Sequence, residues 1–321
     1  MALKQVLEIA ELLDRPDASA ELVQCLFADR GMPEAEVEPV RSKRGSTSFF
    51  KVLFPGIRGR SAGGSAPTLG ILGYLGGVGA RPHRIGLVSD ADGAMAALAA
   101  GLKLADMYRV GDRLPGDVIV ATHVSPASPI IPHEPVPFMS SPLDMSGMNR
   151  RLADPRMEAI LSIDATKGNR IINARGFAIS PTIKQGYILR VSEDLLNLQH
   201  YVTGRMPSVF AVTTQDITPY GTGIFHLNSI LQPATATDAP VVGVAITSEA
   251  VIPGSATGAN QEADIECAAR FAVEVAKAFG AGAAEFYDRA EFARLVRLYG
   301  SMEHLQSKPR PAGRRRKAKT T

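Results

Sequence analysis

The sequence contains no tryptophan, two cysteines and only 6% aromatic residues. Two thiols cannot build the bridge framework that a small secreted domain needs, and neither Cys25 nor Cys267 stands at metal-ligand spacing. Both fall within apolar helical patterns and are expected to be buried, reduced thiols. No stretch reaches the ~20 apolar residues of a membrane-spanning helix, so no membrane partner is expected. The first residues carry Glu8 and Glu11 where a secretory signal needs an unbroken apolar run, so a cytoplasmic location is expected. Excess charge is scarce as well. The formal net charge is +3, yet Lys308, Arg310, Arg314, Arg315, Arg316, Lys317 and Lys319 all fall in the last fourteen residues, which leaves the rest of the chain mildly acidic. Residues 307–321 are expected to be a disordered, solubilising tail, and nucleic acid is not expected as a partner.

What the chain does have is core material. It has 321 residues, 45% of them hydrophobic and 21% charged, enough to bury a sizeable core without staples. Apolar periodicity predicts helices over 3–13, 19–30, 94–107, 193–201, 224–231, 263–279 and 290–299. Strands are predicted over 37–40 and 49–54, joined by a basic turn at 41–48, and over 68–72, 85–88, 117–122, 160–163, 177–179, 209–212 and 241–246. A proline-laden segment spans 125–142. Apolar strands alternating with helices predict an α/β fold with a mainly parallel sheet sandwiched by helices. Residues 1–171 and 241–300 would form the main domain and 172–240 a smaller inserted unit.

Several polar residues stand directly after apolar strand runs: Asp90 and Asp92 after 85–88, His123 after 118–122, Asp164 after 160–163, and Glu249 after 241–246. In open parallel sheets, ligands gather at the carboxyl ends of strands. Several carboxylates and an imidazole on one rim repel and desolvate one another unless a cation or substrate offsets the cost. Taken singly, each is also an ordinary turn or cap residue, and Asp92 suits the cap of the helix that follows it. His133 and Glu134 sit in the proline-laden segment, and Lys167 lies just beyond Asp164, placed to meet a substrate carboxylate. The glycines from Gly70 to Gly79 suggest a phosphate cradle, but Arg81-Pro82-His83 follows instead of a helix start. Asp90 to Gly93 fails as a calcium loop, because Ala94 and Gly101 stand where oxygen ligands are needed.

The order of elements over about residues 3–280 resembles the co-catalytic dizinc exopeptidases, the superfamily of aminopeptidases and related amidohydrolases. Gly73-Tyr74-Leu75-Gly76-Gly77-Val78 stands where those enzymes carry Gly-His-x-Asp-x-Val. Ser89-Asp90-Ala91-Asp92-Gly93 stands where a bridging aspartate precedes an alanine-rich helix, and Ile163-Asp164 where a further ligand aspartate ends a strand. Tyr220-Gly221-Thr222-Gly223 resembles their substrate-side loop. The sequence departs at Tyr74 and Gly76, which replace a zinc histidine and its orienting aspartate, and at His123-Val124-Ser125, which replaces a Glu-Glu pair. The whole chain is also similar to an uncharacterised family of prokaryotic proteins of about this length.

The superfamily resemblance implies a hydrolase acting on an amide bond of a small peptide or peptide-like substrate. A divalent metal, zinc or manganese, would be held by Asp90, Asp92, His123 and Asp164, with Glu134 or Glu249 as the base. Tyr74, His133, Lys167 and Thr222 would face the substrate. It also implies a homo-oligomer built through residues 172–240. Two alternatives stay open. Asp90-Ala91-Asp92-Gly93 also looks like the opening of a haloacid dehalogenase-type phosphatase, with Asp90 as nucleophile and Asp92 as acid. The changes at Tyr74 and Gly76 suit a non-catalytic ligand-binding protein on a peptidase fold that lost its zinc ligands.

Overall fold

Strands that are apolar on both faces need cover on both faces, and the computed structural model arranges its helices accordingly. It describes residues 1–74, 77–78, 86–132, 134, 138–213, 227–250 and 258–307. Helices α1 (Leu3–Asp14) and α2 (Ala20–Asp29) lead into the hairpin of β1 (Glu36–Ser42) and β2 (Gly45–Phe54). Ser19 caps α2 by accepting the Leu22 N–H. Then come β3 (Leu69–Gly73), α3 (Asp92–Arg109), β4 (Val118–Val124), a two-stranded ribbon of β5 (Ile130–Ile131) and β6 (Phe138–Met139), and α4 (Met145–Leu152). The chain continues through β7 (Ala159–Ala165), β8 (Gly176–Ile179), β9 (Ile183–Lys184), β10 (Tyr187–Ile188), α5 (Glu193–Thr203), β11 (Val241–Thr247), α6 (Glu262–Ala281) and α7 (Arg289–Tyr299).

The main sheet runs β1-β2-β4-β3-β7-β11-β9-β10, with β8 also paired to β11. Its central strands β4, β3, β7 and β11 are parallel. From β3 the chain moves to β4 on one side and later crosses to β7 on the other, so the order reverses at β3. Residues alternate between two cores. Leu69, Ile71, Val120, Leu161, Ile163 and Val244 pack toward α1, α3 and α6. Leu72, Tyr74, Ile119, Ala121 and Ala245 pack with Met148 of α4 and with Ile230 and Leu231 of a 3-10 turn at Ser229–Thr235. Each Leu, Ile, Val or Met among them contributes roughly 1.5–3 kcal/mol by leaving water. The small residues of α3 let it lie close: a Cβ on Gly73 would stand 2.7 Å from Ala94 Cα.

The α/β class with a mostly parallel, helix-covered sheet is the one expected from the alternation of apolar runs. Several local expectations change. The basic turn contracts to Lys43-Arg44, because pairing continues to Ser42 opposite Gly45. Residues 86–88 form no strand: Gly86 takes a φ of +93° and Leu87 donates its N–H to Asp14 Oδ1 at 2.9 Å, while Ile85 lies outside the described residues. Of 209–212 only one bridge forms, Ile179 to Val209. In place of a helix at 224–231, residues 224–226 lie outside the described residues and Ser229–Thr235 is a 3-10 turn. Residues 172–240 supply β8 and β9, which pair onto β11, and β10, which pairs with β9 at the edge of the main sheet. Cys25 is exposed, because Val23 and Phe27 take the inward face of α2, and Cys267 is half-buried; both are free thiols. The tail from residue 308 lies outside the described residues. Among the described residues no helix is long and apolar enough to cross a membrane.

Candidate functional site

Three polar residues end the strands on either side of the reversal. Leu72 pairs with Ala121 of β4 and with Ser162 of β7, so two residues further on Tyr74, His123 and Asp164 stand level, on the face shared with α4. The Tyr74 N–H donates to Ile163 O at 2.8 Å, which extends the ladder to the rim. All three side chains are buried. The Tyr74 hydroxyl donates to Asn149 Oδ1 of α4, and Asn149 Nδ2 donates to Gln232 O at 3.1 Å. Burial, and then the negative charge of Asp164, hold the Tyr74 phenol well above its usual pKa. Asp164 Oδ1 accepts the Ala165 N–H at 2.7 Å. His123 Nδ1 meets Thr47 Oγ1 at 2.8 Å, and Thr47 donates its own proton to Val124 O at 3.2 Å. Burial pushes the pKa of the His123 imidazole down to about 3, so it is neutral at physiological pH.

On the α3 side of the same rim, Asp92 opens α3 fully buried. Lys167 Nζ donates to its Oδ2, and Asn260 Nδ2 donates to its Oδ1 and, at 3.1 Å, to Val88 O. Burial raises the Asp92 pKa to about 6, against the opposing pull of Lys167 and Asn260 and with a further push from Glu262. The turn after β7 aims Lys167 inward. Thr166 and Lys167 both donate N–H groups to Ile246 O, at 2.9 and 3.1 Å, and Lys167 adopts a φ of +51°. Gly168 donates to Ser248 Oγ at 2.9 Å, in a place where a Cβ would stand 2.1 Å from Ala250 O.

The remaining sequence-predicted residues are dispersed. Asp90 is buried in a 3-10 turn, Ser89–Ala91, that packs on β7. Glu134 and Glu249 are exposed. The charge of Glu249 reaches Asp264 of α6, whose pKa is raised first by burial, with Arg175 and Lys167 pulling it back. His133 and Thr222 lie outside the described residues. Asn260, Asn149 and Thr47 join the rim's polar contacts although no local pattern singles them out; the one available signal is that Asn260 stands where a loop joins a long helix. The phosphatase alternative expects an extended segment after its aspartate, whereas α3 begins at Asp92 itself.

Residues 38–309 match the family described as protein of unknown function, DUF1177. The chain belongs to this family. No curated protein matches it. Among solved structures, a glutaminyl cyclase from an Acidobacteriales bacterium is similar to this DUF1177 chain with a TM-score of 0.51 and 9% identity, over 88% of this chain and 94% of that one. A leucine aminopeptidase of Caenorhabditis elegans is similar with a TM-score of 0.48 and 12% identity, over 87% of this chain. The chain spans 66% of that enzyme's length. An aminopeptidase of Legionella pneumophila is similar with a TM-score of 0.46 and 11% identity, over 89% of this chain and 73% of that one. The likeness to the cyclase shows a shared fold.

The superfamily resemblance implies a metal shell of Asp90, Asp92, His123 and Asp164. Among the described residues, no three His, Cys, Asp or Glu side chains come together so as to hold a metal ion. Asp90, Asp92, His123 and Asp164 are not assembled into one shell: His123 faces Thr47 on one side of the sheet and Asp92 faces Lys167 on the other. A divalent metal needs convergent, deprotonated ligands, and these four residues, as placed, do not fit it.

Proposed function

We propose that this DUF1177 protein binds a small peptide-like, amide-bearing ligand at the carboxyl rim of its sheet. The observation that carries this reading is the level alignment of Tyr74, His123 and Asp164 at the ends of β3, β4 and β7, across the strand at which the order reverses. Open α/β sheets take their ligands at such reversals. The fold shared with a glutaminyl cyclase supports a ligand that carries an amide.

Amide hydrolysis is a second reading, favoured by the Asp92 carboxylate. With its pKa raised to about 6, it changes protonation close to neutrality, which suits a group that accepts and returns a proton. A panel of dipeptides, N-blocked dipeptides and amino-acid amides, followed by thermal unfolding and mass spectrometry, tests both readings. A saturable rise in Tm with a panel member, lost in Asp164→Ala, is expected. If no member moves the Tm, the binding proposal fails. Turnover that disappears in Asp92→Asn supports hydrolysis, and tight binding without product rejects it.

A further inference from the structure

A left-handed backbone is unfavourable for any residue with a Cβ. Among the described non-glycine residues only Lys167 and Gln185 adopt it, and Lys167 does so while 3% exposed. Its surroundings explain why. The two N–H groups converging on Ile246 O and the glycine wedged beside Ala250 O hold the turn after β7 in the one shape that sends this side chain inward. Nζ arrives at Asp92 Oδ2, Asn260 takes Oδ1, and both oxygens of a fully buried carboxylate are bound by N–H donors. Asp92 is itself held in place, because Gly93 leaves no room for a Cβ against Ile163 O, at 2.4 Å, and Tyr74 O, at 2.7 Å.

We infer that Lys167 serves Asp92 as a resident cation on this rim, supplying there the positive charge that the resemblance to dizinc exopeptidases assigns to a metal. An ammonium is a compact charge with three donors and no open coordination position. It neutralises the buried carboxylate and fixes the junction of β7, α3 and the approach to α6, and it activates no water. The site is thus built to keep its charge through a covalently tethered group, independent of metal supply. The inference rests on the rim being the working site, but its test reads different quantities from the ligand panel.

The full chain, stripped with EDTA, is titrated with zinc and with manganese, by calorimetry and by thermal unfolding. The expected result is no saturable binding at micromolar metal and a Tm that neither EDTA nor metal moves. Lys167→Met, which leaves Asp92 buried without its cation, lowers the Tm by roughly 10 °C. Lys167→Met combined with Asp92→Asn recovers most of that loss, because the orphaned charge is gone. A stoichiometric equivalent of zinc or manganese that raises the wild-type Tm and is lost in Asp92→Asn overturns the inference. So does a Lys167→Met protein with wild-type Tm, or a double variant no more stable than the single one. Should Lys167→Met fail to fold, the wild-type titration and the double variant still decide. Failure of every peptide to bind would reject the ligand proposal and leave these outcomes standing.

Discussion

Gly93 and Asp164 touch through their backbones: a Cβ added to Gly93 would stand 2.8 Å from Asp164 Cα and 2.4 Å from Ile163 O. The start of α3 is thereby pressed onto the ends of β3 and β7, and the two halves of the rim keep their spacing. Replacing glycine by alanine inside a helix ordinarily gains up to ~1 kcal/mol. Here backbone atoms must move to admit the methyl group, so Gly93→Ala is expected to destabilise by at least ~2 kcal/mol. The urea midpoint measures it, and an unchanged or higher midpoint would contradict the packing described.

Tyr74 and Asn149 tie β3 to α4 on the opposite face. Tyr74→Phe removes the hydroxyl and leaves Asn149 Oδ1 buried without its donor, while Asn149 Nδ2 keeps Gln232 O. A loss of about 1–3 kcal/mol is expected. The phenol should also resist ionisation: absorbance at 295 nm, titrated upward in pH, should report Tyr74 only as the protein unfolds. A Tyr74→Phe protein that loses early titrating absorbance would show that the phenol is not held above its usual pKa.

The features most legible in the sequence are those fixed by continuous apolar runs. Strands β4, β7 and β11 and helices α3 and α6 fall within a few residues of their expected places, because burial on both faces writes an unbroken pattern. The hairpin of β1 and β2 runs longer than expected, since Glu36, and Arg41 and Ser42 with their partners Ser46 and Gly45, pair without leaving an apolar mark. Val88 is buried without being a strand: an apolar run signals burial, and burial does not dictate conformation. Tyr74, His123 and Asp164 are readable as strand-end residues, but their common face appears only with the register. The contacts of Asp92 join residues 92, 167 and 260, three segments that no spacing rule connects.

Asp92 and His123 should oppose each other in the pH dependence of stability. Folding raises the Asp92 pKa from 3.8 to about 6, so between about pH 4 and 6 the folded state holds the proton that the unfolded state has released. The unfolded state then binds fewer protons, and stability contributed by this group falls as pH rises, by up to ~1.4 kcal/mol per unit and roughly 3 kcal/mol in all. His123 runs the other way. Its pKa drops from 6.5 to about 3, so between those values the unfolded state is the one that takes up the proton. Stability from His123 is complete above about pH 6.5 and is lost as pH falls, with a similar slope of opposite sign. Asp154, held well below the usual carboxylate range chiefly by its hydrogen bond with Arg156, adds a loss only in more acidic solution. The two buried groups therefore nearly cancel between pH 4 and 6, and each substitution uncovers the other. In Asp92→Asn, stability should climb by ~1 kcal/mol or more per pH unit across that window; in His123→Gln it should fall. Urea midpoints at pH 4, 5, 6 and 7 for the wild type and both variants decide it. Parallel curves for all three proteins would mean that neither group changes its proton affinity on folding.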